Sequence, residues 1–107
     1  MNVAEIGNEK SAEIKSMGEM IDMPMNDFEE YIKPFQVGII STLILYMENA
    51  YNELVDRKNR CVALAVRDTK DTRLRHTVKG LYSEMLKAEG KIVYLKTRKQ
   101  ELLKLDI

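Results

Sequence analysis

The chain has no tryptophan, one cysteine, one histidine, two prolines and five glycines among its 107 residues. A single cysteine excludes an intrachain disulfide framework and any multi-cysteine metal site. With His76 alone, neither the paired Glu-x-x-His motifs of di-metal bundles nor a His-Glu-x-x-His motif can be built, so no metal or cofactor is expected. Gly7, Gly18, Gly38, Gly80 and Gly90 stand apart from one another, which removes glycine-rich phosphate loops. Long apolar runs are missing too. The longest, Val37 to Met47, is interrupted by Gly38, Ser41 and Thr42. As a helix it would rise ~16 Å, about half of a ~30 Å hydrocarbon core, so a buried helix is expected rather than a membrane span. Met1 to Ile21 carries Glu5, Glu9, Glu13 and Glu19 against Lys10 and Lys15, unlike the basic start and apolar stretch of a secretory signal. With the lone thiol, this sets cytoplasmic as the expected localisation.

What remains is 45% apolar and 32% charged, with 17 basic and 17 acidic side chains. That is enough apolar content for one folded domain, and the scarcity of Pro and Gly favours helix over sheet. Residues 1–9 read as weakly ordered. Ile14, Met17, Met20 and Ile21 mark one face of a short helix over 10–22, ended by Pro24. Asp27 with Glu30 reads as a capping box opening a helix over 27–66. That helix breaks or kinks near Pro34, which is placed in the first turn of the long arm.

Two seams at alternating steps of three and four dominate the rest. The first is Ile40, Leu43, Met47, Ala50, Leu54, Arg57, Cys61 and Leu64. The second is Val78, Leu81, Met85, Ala88, Ile92, Leu95, Lys99 and Leu102. Continuing the first would bury Asp68 and Asp71, so the phase break marks a turn near 67–72, with Asp68, Thr69, Asp71 or Thr72 as the cap. The expected fold is all-α: a long antiparallel hairpin of about 34–66 and 71–105 plus a short N-terminal helix. Facing pairs would be Cys61 with Val78, Leu54 with Met85, Ala50 with Ala88, Met47 with Ile92, and Leu43 with Leu95.

Beside the first seam, Ile39, Ile44, Tyr46, Tyr51 and Val55 widen the apolar stripe beyond what one helix can cover. These five residues are the expected partner-binding face, completing a bundle by oligomerisation or by docking on another protein. Met1, Met17, Met20, Met23 and Met25 would add an adaptable contact surface. Charge is polarised: residues 1–36 hold eight acids and three bases, and residues 67–107 hold eleven bases and six acids. Packing of the acidic N-terminal segment near the basic C-terminal helix would account for this. Arg67, Lys70, Arg73, Arg75 and Lys79 gather at the turn, the candidate site for a nucleic-acid backbone or an anionic ligand. A near-neutral overall charge, and no aromatic between Tyr51 and Tyr82 for base stacking, weigh against nucleic acid. Cys61 reads as a core residue and His76 as a surface or cap residue, so no enzyme is expected. The functional expectation is a non-enzymatic protein acting through protein–protein contact as an assembly unit, adaptor or inhibitor.

Overall fold

The computed structural model describes residues 15–105, and no strand occurs among the described residues. Four helices follow in order: α1 (Met17–Asp22), α2 (Met25–Ile32), α3 (Val37–Arg67) and α4 (Thr72–Leu105). Residues 1–9 and the first part of the expected 10–22 helix lie outside the described residues. Lys15 and Ser16 are not helical, so the expected helix does not run unbroken from Lys10. Ser16 caps α1 instead: its hydroxyl accepts the Glu19 N–H at 3.2 Å, and the Glu19 carboxylate accepts the Ser16 N–H at 3.4 Å. This reciprocal pair is the chain's capping box. Pro24 ends α1 and is already the N-cap of α2, which places Asp27 inside the first turn rather than at the cap.

The 27–66 helix is two helices. Lys33 closes α2, the Phe35 N–H turns back to the Ile32 carbonyl at 2.8 Å, and α3 starts after Gln36. Pro34 lies in that turn and not in the first turn of α3. A proline has no N–H with which to extend α2, and this is where prolines commonly follow a helix. At the other end of α3, the Asp68 N–H bonds the Leu64 carbonyl. The Asp71 carboxylate then accepts the Arg73 N–H at 3.0 Å, opening α4.

α3 and α4 pack against each other in antiparallel fashion. The register is fixed by Lys58, whose ammonium lies 5.3 Å from the Tyr82 ring centre, and by Glu48, 3.1 Å from Lys96. Both pairs sit nearly symmetrically about the 68–71 turn. The α4 seam is buried or half-buried over its whole length, from Val78 to Leu102. The α3 seam holds through Leu54 and then slips by one: Lys58, Cys61 and Ala65 are half-buried, whereas Arg57 faces solvent and Leu64 is 49% exposed.

Burial is concentrated at one end. Ile40, Leu43, Ile44 and Met47 of α3 and Met85, Ala88, Ile92 and Leu95 of α4 are buried there, together with Met20 and Ile21 of α1 and Phe28 and Ile32 of α2. Towards the turn, where only two helices meet, every residue is half-buried or exposed. The radius of gyration of 17.5 Å and extents of 58 × 36 × 21 Å describe an elongated body, since a compact chain of this length would have about 13 Å.

Three side chains on one face of α4 hold the N-terminal helices in place. Lys91 is 4% exposed, and its ammonium donates to the Met23 carbonyl at the end of α1 and lies 5.8 Å from the Phe28 ring centre. One turn on, the Tyr94 hydroxyl makes a long contact of 3.5 Å to the Glu29 carbonyl. The Arg98 guanidinium then donates to the Lys33 carbonyl at 3.3 Å. A cation at the C-terminus of α2 also complements that helix's dipole. The described part of the acidic N-terminal segment, residues 15–36, packs on the basic C-terminal helix, but there the bases grip main-chain carbonyls. The carboxylate contact is peripheral: Asp22 with Lys87, at 3.7 Å and exposed.

Burial holds the Lys91 ammonium below the ordinary lysine value of 10.5, and nearby Lys87 lowers it further, against Asp22 and Glu84. The unfolded chain therefore keeps this proton to higher pH than the folded chain, and Lys91 adds stability as pH rises towards 10.5. In urea unfolding, the stability of the wild type minus that of Lys91→Met should rise as pH goes from neutrality to that value. A difference that is constant or falls contradicts the assignment. At neutral pH, Lys91→Ala should cost about 1–3 kcal/mol, because the Met23 carbonyl loses its donor.

Candidate docking surface at the open end of the bundle

Opposite the 68–71 turn, the bundle is incompletely closed. A groove of about 620 Å³ runs between α1 and the first three turns of α3, floored by Met20 and Leu43 and walled by Met17, Phe35, Ile39 and Tyr46. A second groove, of about 570 Å³, lies between the α2–α3 turn and the end of α4, reaching Leu102 and Leu105. Phe35, Gln36 and Gly38 line both, so the two adjoin at the start of α3. Phe35 is held by an edge-on contact with Tyr31, with ring centres 5.1 Å apart. The Tyr31 hydroxyl in turn accepts the Lys15 N–H at 2.8 Å.

Gly38 matters to this shape. A β-carbon built there would meet nothing within 4 Å, so the glycine serves no packing need within the described residues and leaves the junction of the grooves open. Gly90 differs: a β-carbon there would come within 3.3 Å of the Met25 side chain, so this glycine lets α2 sit close to α4.

The five residues of the expected partner face separate. Ile39 and Tyr46 are 45% and 55% exposed and line the first groove. Ile44 is in the core, covered from within the chain, and Tyr51 and Val55 are half-buried along the hairpin. Phe35, Gly38, Leu102 and Leu105 belong to the surface and were missed. Phe35 follows a proline, where an aromatic at a helix break signals a packed turn. The contribution of the α4 end depends on tertiary closure, which has no local sequence signature.

No known protein family, curated protein or solved structure matches this chain. Its chemistry has to be taken from its own residues.

At the turn, Arg67, Lys70, Arg73, Arg75 and Lys79 are all exposed. Two of the five are engaged with the turn itself. The Arg73 guanidinium lies 3.6 Å from the Asp71 carboxylate, and Arg75 donates to the Thr69 carbonyl at 2.9 Å. The Asp71 carboxylate already occupies the N-terminus of α4, the place an anion would otherwise favour. Cys61 is half-buried on the seam and in no disulfide, and His76 is exposed. No helix among the described residues is long and apolar enough to cross a membrane.

The division between core and surface is checked by a pair of substitutions. Ile44→Ser should cost about 2–4 kcal/mol, as for loss of a buried aliphatic side chain. Ile39→Ser, on the groove wall, should stay within about 1 kcal/mol. Equal losses by thermal or urea unfolding would mean that Ile39 is covered as Ile44 is.

Proposed function

We propose that the chain is a non-enzymatic interaction module that holds a protein partner on the grooves at its open end, with the hairpin as a rigid arm. The observation that carries this reading is the apolar groove between α1 and the start of α3, walled by Phe35 and Ile39, whose volume of about 620 Å³ lies in the range of binding clefts. Methionines at the groove edge suit an adaptable contact. Partners include another copy of this chain, which would complete the bundle by self-association. The unpaired Cys61 fits a reducing, cytoplasmic setting.

The second reading, a nucleic-acid backbone or other anion bound at the hairpin turn, is favoured by the exposure of Arg67, Lys70 and Lys79. Affinity capture from the native source separates the two. The principal partner should be lost with Ile39→Asp and retained with Arg67→Glu, Lys70→Glu and Lys79→Glu combined. The reverse pattern, with capture falling steeply as salt is raised, would transfer the function to the turn.

A further inference from the structure

We infer that the occupant of the open-end grooves is an amphipathic helix of a partner protein that carries carboxylates beside its apolar stripe. This rests on the reading of the grooves as the docking surface and adds what docks there.

Two observations determine the class. The walls are helices and one tight turn, and a helix satisfies its own backbone groups. Apart from the first N–H groups of α3, the surface therefore offers no free donors and acceptors along which an extended strand could pair. An occupant must satisfy its backbone internally while presenting side chains, as a helix does in a groove between helices. A segment of about four turns, ~22 Å long, is of a size to follow α3 from Tyr46 past Phe35. The sign of charge is the second observation. Among the described residues lining the two grooves, the charged ones are Lys15 and Lys33, with no carboxylate. Glu19, Asp22 and Asp27 line neither groove, whereas Glu29, Glu30 and Glu101 line an adjoining pocket that also takes in Lys33, so Lys15 is the lysine without a carboxylate among its groove neighbours. The N-terminus of α3 also opens at the junction of the grooves, and the Gln36 side chain does not cap it. The partial positive charge of a long helix's start therefore adds to the two lysines.

The test uses the full chain and two fluorescein-labelled 15-residue helical peptides with identical leucine stripes, one flanked by glutamates and one by lysines, at physiological salt. Fluorescence anisotropy should show the glutamate peptide binding at least tenfold more tightly than the lysine peptide. Ile39→Asp should weaken it at least tenfold with the circular dichroism spectrum unchanged. Lys15→Glu with Lys33→Glu should reverse the preference between peptides. Equal binding of both peptides, or binding indifferent to Ile39→Asp, overturns the inference. Sedimentation equilibrium of the free chain separates the inference from the reading beneath it. A dimer broken by Ile39→Asp and not competed by the glutamate peptide assigns the surface to a second copy, so docking stands and the acidic helix falls. Neither peptide binding to a chain that sediments as a monomer removes both. In that monomer, coupling of a benzophenone amino acid at position 39 to residues 1–14 would give the surface to the chain's own N-terminal segment, again against the inference.

Discussion

Two helices side by side cannot enclose a side chain; a third layer is needed, and in this protein it packs through Met20, Ile21, Phe28 and Ile32, with one buried ammonium at the joint. Where α1 and α2 cross the hairpin, side chains on both long helices reach near-complete burial. Beyond their reach, the same kinds of apolar residue on the same helices stay half-exposed. Lys91 is placed where this layer joins. Its stem passes through the apolar contact and its head reaches the end of α1, beside the Phe28 ring. Burying a lysine is costly unless its charge finds partners, and the Met23 carbonyl and the aromatic face supply them.

The choice of carbonyls as acceptors has a structural consequence. A main-chain carbonyl at the end of a short helix has a position fixed by the backbone, whereas a glutamate tip swings through several rotamers. Lys91, Tyr94 and Arg98 therefore set the position of α1 and α2, not merely their proximity. Surface ion pairs such as Asp22 with Lys87 add little by comparison. Because the short helices are fixed this way, they cover one flank of α3 and leave the other as the wall of a groove. The opening at the bundle end follows from where the arm is anchored.

Much of the architecture was legible because helical packing is periodic. The two seams and the phase break between them are visible in residue spacing; the cap was legible only as one of Asp68, Thr69, Asp71 and Thr72, of which the structure uses Asp71. The departures have physical causes. Arg57 and Leu64 gave way to Lys58 and Ala65 beyond the reach of α1 and α2, where only two helices meet and burial does not hold one register of the seam. Ser16 and Glu19 carried a readable capping signal, but the apolar pattern running back to Ile14 suggested a longer helix. Lys91 was hidden because a lysine beside a seam is ordinarily solvated, and only the third layer makes it buried. The partner face was half legible. Ile39 and Ile44 look alike in a stripe, and which of them is covered depends on the flank α1 and α2 occupy.

The two ends of the hairpin differ in how far their polar and apolar groups are already satisfied. At the turn, Asp71 caps α4 and engages Arg73, Arg75 is tied to Thr69, and the Asp68 carboxylate accepts the Lys70 N–H at 3.3 Å. A charged ligand there would compete with the Asp68 and Asp71 carboxylates for Arg73 and the turn's N–H groups, though not for the exposed side chains of Arg67, Lys70 and Lys79. At the open end, Ile39 is 45% exposed, Phe35 is only half-buried, a β-carbon on Gly38 would meet nothing within 4 Å, and Gln36 leaves α3 without a side-chain cap. Binding favours the end where it removes apolar surface from water without breaking contacts already made. In this chain that is the end where the long helices begin and finish.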